Sequence, residues 1–205
     1  MKISYAITVY DEFEAIKKLI TFLLEHKREK DEIIVLMDDR GPKEVWDYLL
    51  SIEDKLGVLN RLHFKGHFAD WKNKLTAHCT GDYIFQIDAD EIPNKFLIDN
   101  LPEVLESNPE VDMLRVPRVN TVEGLTQEHI NKWGWNVNEK GWVNWADWQM
   151  RIYRRHPDIK WVNKVHEVIE GYKVHSMLPV EEEWALYHPK DIVRQEKQNE
   201  YYSTL

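Results

Sequence analysis

A single cysteine, Cys79, stands in the 205 residues, which rules out an internal disulfide and leaves packing to hold the chain together. It falls in an apparent helix and reads as a buried small hydrophobe, since a nucleophilic thiol needs an electropositive, partly exposed setting. Long apolar runs are missing as well: nothing approaches the ~20 residues of a membrane span. The N-terminus MKISYAITVY lacks the charged, then apolar, then small-residue order of a signal peptide, so a cytoplasmic protein is expected. Basic residues are outnumbered, 27 against 36 acidic ones for a net charge of −9. That balance speaks against a non-specific grip on nucleic acid and makes a metal bridge the natural way to hold an anionic substrate. There is no Gly-rich, Lys-bearing phosphate loop, no internal repeat and no low-complexity segment.

What is present has globular composition, 43% hydrophobic and 31% charged, which excludes disorder and fits one domain with a real core. The first half, residues 1–110, alternates strand and helix signals. Residues 3–9 read as a strand, and residues 13–24 place Phe13, Ile16, Ile20, Leu23 and Leu24 on one helical face. Strands follow at 33–37 and 58–64, with a helix opened by Gly41-Pro42 between them, then a helix over 69–79, a strand over 83–88 and a helical stretch from Pro93 to Ser107. Repeated β-α units predict an α/β fold with a mostly parallel central sheet flanked by helices. Residues 111–205 change character: strands are expected near 111–117, 149–155, 160–167 and 184–188, forming a smaller mixed sheet. Residues 121–148 read as a loop-rich or short-helix insert and the run from Asp191 as a helix.

Asp88-Ala89-Asp90 closes the apolar run Tyr83 to Ile87. Alternation along a strand predicts that Asp88 and Asp90 point the same way, offering two hard oxygen ligands for a divalent cation carrying phosphate. Behind them Pro93 is expected to open a helix, making a tight strand-to-helix connection. A parallel sheet brings the ends of the first and second strands, Thr8 to Glu12 and Asp38-Asp39, to the same edge. Asp38 or Asp39 is placed to meet a base or ribose, or else to belong to a plain turn. Lys72-Asn73-Lys74 is placed to reach phosphate or base, or else to be a solvated face.

These residues, taken in order, resemble the family 2 glycosyltransferases. The resemblance is carried by Ala6-Ile7-Thr8-Val9-Tyr10-Asp11-Glu12, Asp38-Asp39, Trp71-Lys72-Asn73, Gly81-Asp82-Tyr83-Ile84 and Asp88-Ala89-Asp90-Glu91, and then by Gln149 to Arg155, Trp161, Val165-His166-Glu167 and the late His188. It implies a GT-A fold, a nucleotide-diphosphate-sugar donor, a UDP-sugar first among them, and a Mn²⁺ or Mg²⁺ ion. Carried over by position, Asp90 would ligate the metal and Asp88 the ribose or the metal, with Ala89 between them at the donor. Asp38 would meet the base, Thr8, Tyr10 and Glu12 would line its pocket, and His188 would be a late metal ligand or diphosphate contact. Asp11 in place of the usual Asn, and Arg40-Gly41-Pro42 in place of a small-residue turn, are departures from the family pattern.

Sugar transfer needs a cation for the departing diphosphate and a general base for the acceptor hydroxyl, and direct displacement inverts the anomeric centre. Glu167, expected at a strand end, is the first candidate base and Asp147 the second. Trp133, Trp135, Trp142, Trp145 and Trp148 alternate with polar residues, which suits an acceptor platform or, equally, a satellite core under a long loop. Arg115, Arg118, Arg151, Arg154 and Arg155 are available for diphosphate or an acceptor anion. The acceptor is expected to be a glycan, a lipid-linked saccharide, a protein or a modified nucleobase. Two other classes stay open: a metal-dependent nucleotidyltransferase or phosphohydrolase, and a carbohydrate-binding protein without turnover.

Overall fold

A computed structural model describes residues 1–203. In chain order the elements are β1 (Ile3–Val9), α1 (Phe13–His26), β2 (Glu32–Asp38), α2 (Lys43–Ser51), β3 (Val58–Leu62), α3 (Phe68–Thr76), β4 (Tyr83–Asp88), β5 (Ile92–Pro93), α4 (Lys95–Ser107), β6 (Met113–Glu123), α5 (Gln127–Trp133), β7 (Val143–Arg154), β8 (Lys160–Val162), β9 (Val168–Glu170), β10 (His175–Met177), β11 (Leu186–Asp191) and α6 (Ile192–Ser203). Among the described residues nine strands form one sheet in the order β3-β2-β1-β4-β7-β6-β11-β5, with β10 on β6. β1 to β4 run parallel, with Thr8 opposite both Leu36 and Asp88, so three carboxyl ends share one edge. The connections leave β1 toward β2 on one side and toward β4 on the other, which opens the crevice where such sheets take ligands.

The strands of this half are buried on both faces, and their near-continuous Ile, Val, Leu and Met reflect that. One face packs on α1 and α4, where Ile16, Leu19, Ile20 and Leu23 meet Leu97, Leu101 and Leu105. The other carries Ala6, Ile34, Leu36 and Ile84 beneath α3 and the β8–β9 pair, with Trp71, Leu75, Tyr153, Trp161 and Ile169 closing the layer.

The second half extends the same sheet: β7 pairs antiparallel with both β4 and β6, and the separate sheet is only the β8–β9 pair. The expected strand over 160–167 is broken, because Asn163 and His166 take left-handed backbone at φ 77° and 52°, so Glu167 sits in the connection between β8 and β9. Pro93 does not open a helix. It pairs as β5 with Leu186, and Asn94 caps α4 through its Oδ1, which accepts from the Phe96 amide at 2.9 Å. The insert is shorter than expected: β6 and β7 both reach into 121–148, leaving α5, capped by Thr126 and ended by Gly134 at φ 64°. No helix among the described residues is long and apolar enough to cross a membrane.

Candidate functional site

Over the carboxyl ends of β1, β2 and β4 lies a cleft of ≈ 1270 Å³, lined by Thr8, Tyr10, Glu12, Asp38, Phe64 and Asp88 from the first half of the chain and by Arg115, Trp135, Asp147, Trp148, Glu167 and His188 from the second. That volume accommodates a nucleotide and a second molecule. Thr8, Tyr10, Glu12, Asp38, Asp88, Ala89, Asp90, Asp147, Glu167 and His188 all face it. Asn73 does not. Its amide clamps the backbone of Trp161, donating to the carbonyl at 2.8 Å and accepting from the amide at 3.0 Å, so the polar head expected at phosphate or base instead fixes α3 to β8. The clamp serves its neighbour: Lys72 is 5% exposed, lies 4.4 Å over the Trp161 ring and points into the cleft.

Asp88 and Asp90 do not act as an alternating pair. The strand ends at Asp88, and the turn closed by Glu91 N on Asp88 O at 2.9 Å rotates Asp90 away. Asp88 Oδ2 is 2.5 Å from Arg151 Nη2 and its Oδ1 lies 3.6 Å from Lys72 Nζ. Burial works to raise its carboxyl, but Arg151 and Lys72 outweigh that and hold it well below the usual carboxylate range. Behind it stands a residue that sequence reasoning missed. Glu91 is fully buried and accepts from Arg118 at 2.9 Å and Arg151 at 2.6 Å. Its only sequence signal was an acid directly after the Asp88-Ala89-Asp90 turn.

Asp90 faces β11 and α6. Its Oδ2 lies 3.5 Å from His188 Nε2 and 3.5 Å from Arg194 Nη2. Burial again works to raise this carboxyl, and the His188 contact holds it down at about 2. His188 Nδ1 donates to Asn120 Oδ1 at 2.7 Å, while Asn120 Nδ2 donates to Asp147 Oδ2 at 2.8 Å. The amide therefore fixes the ring orientation that turns Nε2 toward Asp90. Asp90 and His188 fit a hard divalent cation that takes its other oxygens from phosphate. Asp88, with Arg151 and Lys72 already upon it, fits such an ion less well. A grouping with three potential ligands, within 4.8 Å of one another, is Asp38, Asp39 and His63, but Arg40 occupies both oxygens of Asp38. Glu12 joins the Asp90 side, accepting from Arg194 at 2.6 Å and from the Tyr10 amide at 2.9 Å. Burial leads in raising its carboxyl.

The candidate bases differ sharply. Asp147 Oδ2 accepts from Arg118 Nε and Nη2 and from Asn120, and its Oδ1 from Gln149. Burial would raise this carboxyl, yet Arg118 and Asn120 hold it low. Glu167 has Oε1 2.7 Å from Lys72 Nζ, and no hydrogen bond to Oε2 occurs among the described residues. The tryptophans divide between the two readings. Trp142 and Trp145 pack together at 4.8 Å in a satellite core with Val119 and Ala185, whereas Trp135 and Trp148 line the cleft. Cys79 lies just beyond α3, buried, its thiol pushed up to about 12 by burial, which suits no nucleophile.

Residues 4–179 match the family model "Glycosyl transferase family 2". The chain belongs to that family. Its fold is similar to that of S. aureus TarS 1–349 in complex with UDP-GlcNAc, at TM-score 0.65 and 16% identity over 93% of this chain and 59% of that one. Full TarS aligns at TM-score 0.63 and 16% identity over 92% of this chain and 37% of that one. This family 2 chain therefore spans less than two thirds of either solved neighbour. It matches no curated protein.

Proposed function

We propose that the protein is a metal-dependent, inverting glycosyltransferase that moves a sugar from a nucleotide diphosphate, a UDP-sugar first, to an acceptor hydroxyl. The observation that carries this reading is Asp90 facing an oriented His188 at the crevice of the sheet, with Asp38 and Thr8 at the neighbouring strand ends. The UDP-GlcNAc complex of TarS, on a similar fold, supports the donor class. Asp90 and His188 would hold Mn²⁺ or Mg²⁺, which when bound supplies positive charge against the leaving diphosphate. Asp38, Thr8, Tyr10 and Glu12 would bound the base pocket, with Asp88 and Ala89 beneath the ribose.

Glu167 is the general base in this reading. A base must keep a free lone pair within reach of the proton it takes, and Glu167 Oε2 does so while Lys72 steadies the other oxygen. Asp147, with four donors on two oxygens, is a positioning residue that sets Asn120 and through it His188. Incubation with Mn²⁺ and a panel of nucleotide-sugars is expected to give slow donor hydrolysis and a thermal shift with one nucleotide diphosphate. Turnover of nucleoside triphosphates with sugar phosphates instead would favour a nucleotidyltransferase. Glu167→Gln is expected to keep donor binding and lower transfer by roughly 10²–10⁴-fold; normal transfer in that variant would end the assignment of the base.

A further inference from the structure

Five arginines line the cleft, and four have carboxylate partners: Arg40 with Asp38, Arg118 with Glu91 and Asp147, Arg151 with Asp88 and Glu91, Arg194 with Glu12 and Asp90. Arg115 is the exception. Its Nε is buried and meets no acceptor, and no carboxylate lies within ion-pair distance of its guanidinium among the described residues. A half-buried guanidinium without a counter-charge costs stability, since desolvation is not offset by pairing. A group of that kind, where each of the other four cleft arginines has a carboxylate partner, calls for an outside partner.

Its position says on which side that partner sits. Arg115 pairs across the sheet with Met150, whose Sδ lies 3.3 Å from the amide of Ile169, two residues beyond Glu167. Arg115 thus belongs to the wall that carries Glu167, while Asp38, Thr8 and Asp90 form the opposite end over β1, β2 and β4. Trp148 and Val168, also on the cleft lining, give this wall an apolar surface beside the cation.

We infer that Arg115 is a specificity-determining residue for the acceptor, and that the acceptor is a sugar or polyol bearing an oxyanion, phosphate or carboxylate, near the hydroxyl that is glycosylated. The planar, five-donor guanidinium suits a bidentate oxyanion and leaves the hydroxyl end for Glu167. This rests on the transferase reading above, and the test separates the two. The 205-residue protein is first saturated with Mn²⁺ and UDP, or with whichever other nucleoside diphosphate raises its melting temperature, which fills the donor end; failure of every nucleoside diphosphate to bind would end the transferase reading itself. Glucose, glucose 6-phosphate and glucuronate are then titrated calorimetrically into wild type, Arg115→Met and Arg115→Lys. At least tenfold tighter binding of one anionic sugar than of glucose is expected, and which one wins identifies phosphate or carboxylate. Arg115→Met is expected to lose that preference and Arg115→Lys to keep part of it, with affinity for the nucleoside diphosphate unchanged in both. Equal binding of glucose and both anionic sugars by wild type, or an unaltered preference in Arg115→Met, would overturn the proposal. Should Arg115→Met fail to fold, the wild-type comparison and Arg115→Lys still decide it.

Discussion

On the β7 side of the turn that ends β4, Asp88 touches Arg151 at 2.5 Å, and Glu91 is fully buried between Arg151 and Arg118. On the β11 side, Asp90 meets His188 and Arg194 only at 3.5 Å, and Glu12 shares the same arginine. Both regions gather acids against cations, but they differ in what is left over. The first is saturated, with short contacts holding three strands in register; the second has longer contacts and a histidine nitrogen directed at a carboxylate. Two acids of one motif thus divide the work. The saturated cluster fixes the edge of the sheet, and the looser one is the side that the proposed reading gives to the metal.

That contrast breaks down if the saturated side can be removed without harm. Arg151→Met deletes the cation shared by Asp88 and Glu91 and leaves a buried carboxylate with one partner fewer. A loss of about 3–5 kcal/mol in urea unfolding is expected, the range for stripping one member from a buried ion pair. A loss below about 1 kcal/mol would mean that the cluster does not brace the fold. Next in size, Asp90→Asn is expected to weaken Mn²⁺-dependent UDP binding by about 10²–10³-fold, about 3–4 kcal/mol, while the urea midpoint at neutral pH moves far less than in Arg151→Met. If Asp88→Asn weakened metal-dependent binding more than Asp90→Asn, the two acids would have to exchange roles.

How far the sequence reveals this division follows from the range of the interactions. The parallel β1 to β4 half is legible because runs such as Ile33 to Met37 and amphipathic helices encode themselves locally, and because parallel strands bring Thr8, Asp38 and Asp88 to one edge by topology alone. The separation of Asp88 from Asp90 is not legible. It depends on where β4 stops, and the turn at Ala89 breaks the alternation that the strand pattern predicts. Glu91 pairs with arginines 27 and 60 residues away, and Asn73 with a backbone 88 residues away. No local spacing signals such contacts. Glu167 is legible as an acid worth noticing but not as a loop residue, since the strand propensity of Val162, Val165 and Val168 around it is overridden by the left-handed backbone of His166.

The smallest effect separates the regions by pH. Asp90 has its folded-state carboxyl lowered from 3.8 to about 2, so its contribution to stability is complete above the unfolded value and disappears as pH falls through 3.8 toward 2. A shift of that size corresponds to roughly 2 kcal/mol. Asp88 and Asp147, also held low, act in the same direction, whereas the raised Glu12 opposes them by favouring its protonated form as pH falls. Urea midpoints of wild type and Asp90→Asn between pH 5 and pH 2 should therefore converge, because wild type loses the Asp90 contribution over that interval and the variant has none to lose. Curves that stay parallel would mean that His188 does not hold the Asp90 carboxylate, and the distinction between a saturated and a looser side of the turn would lose its electrostatic basis.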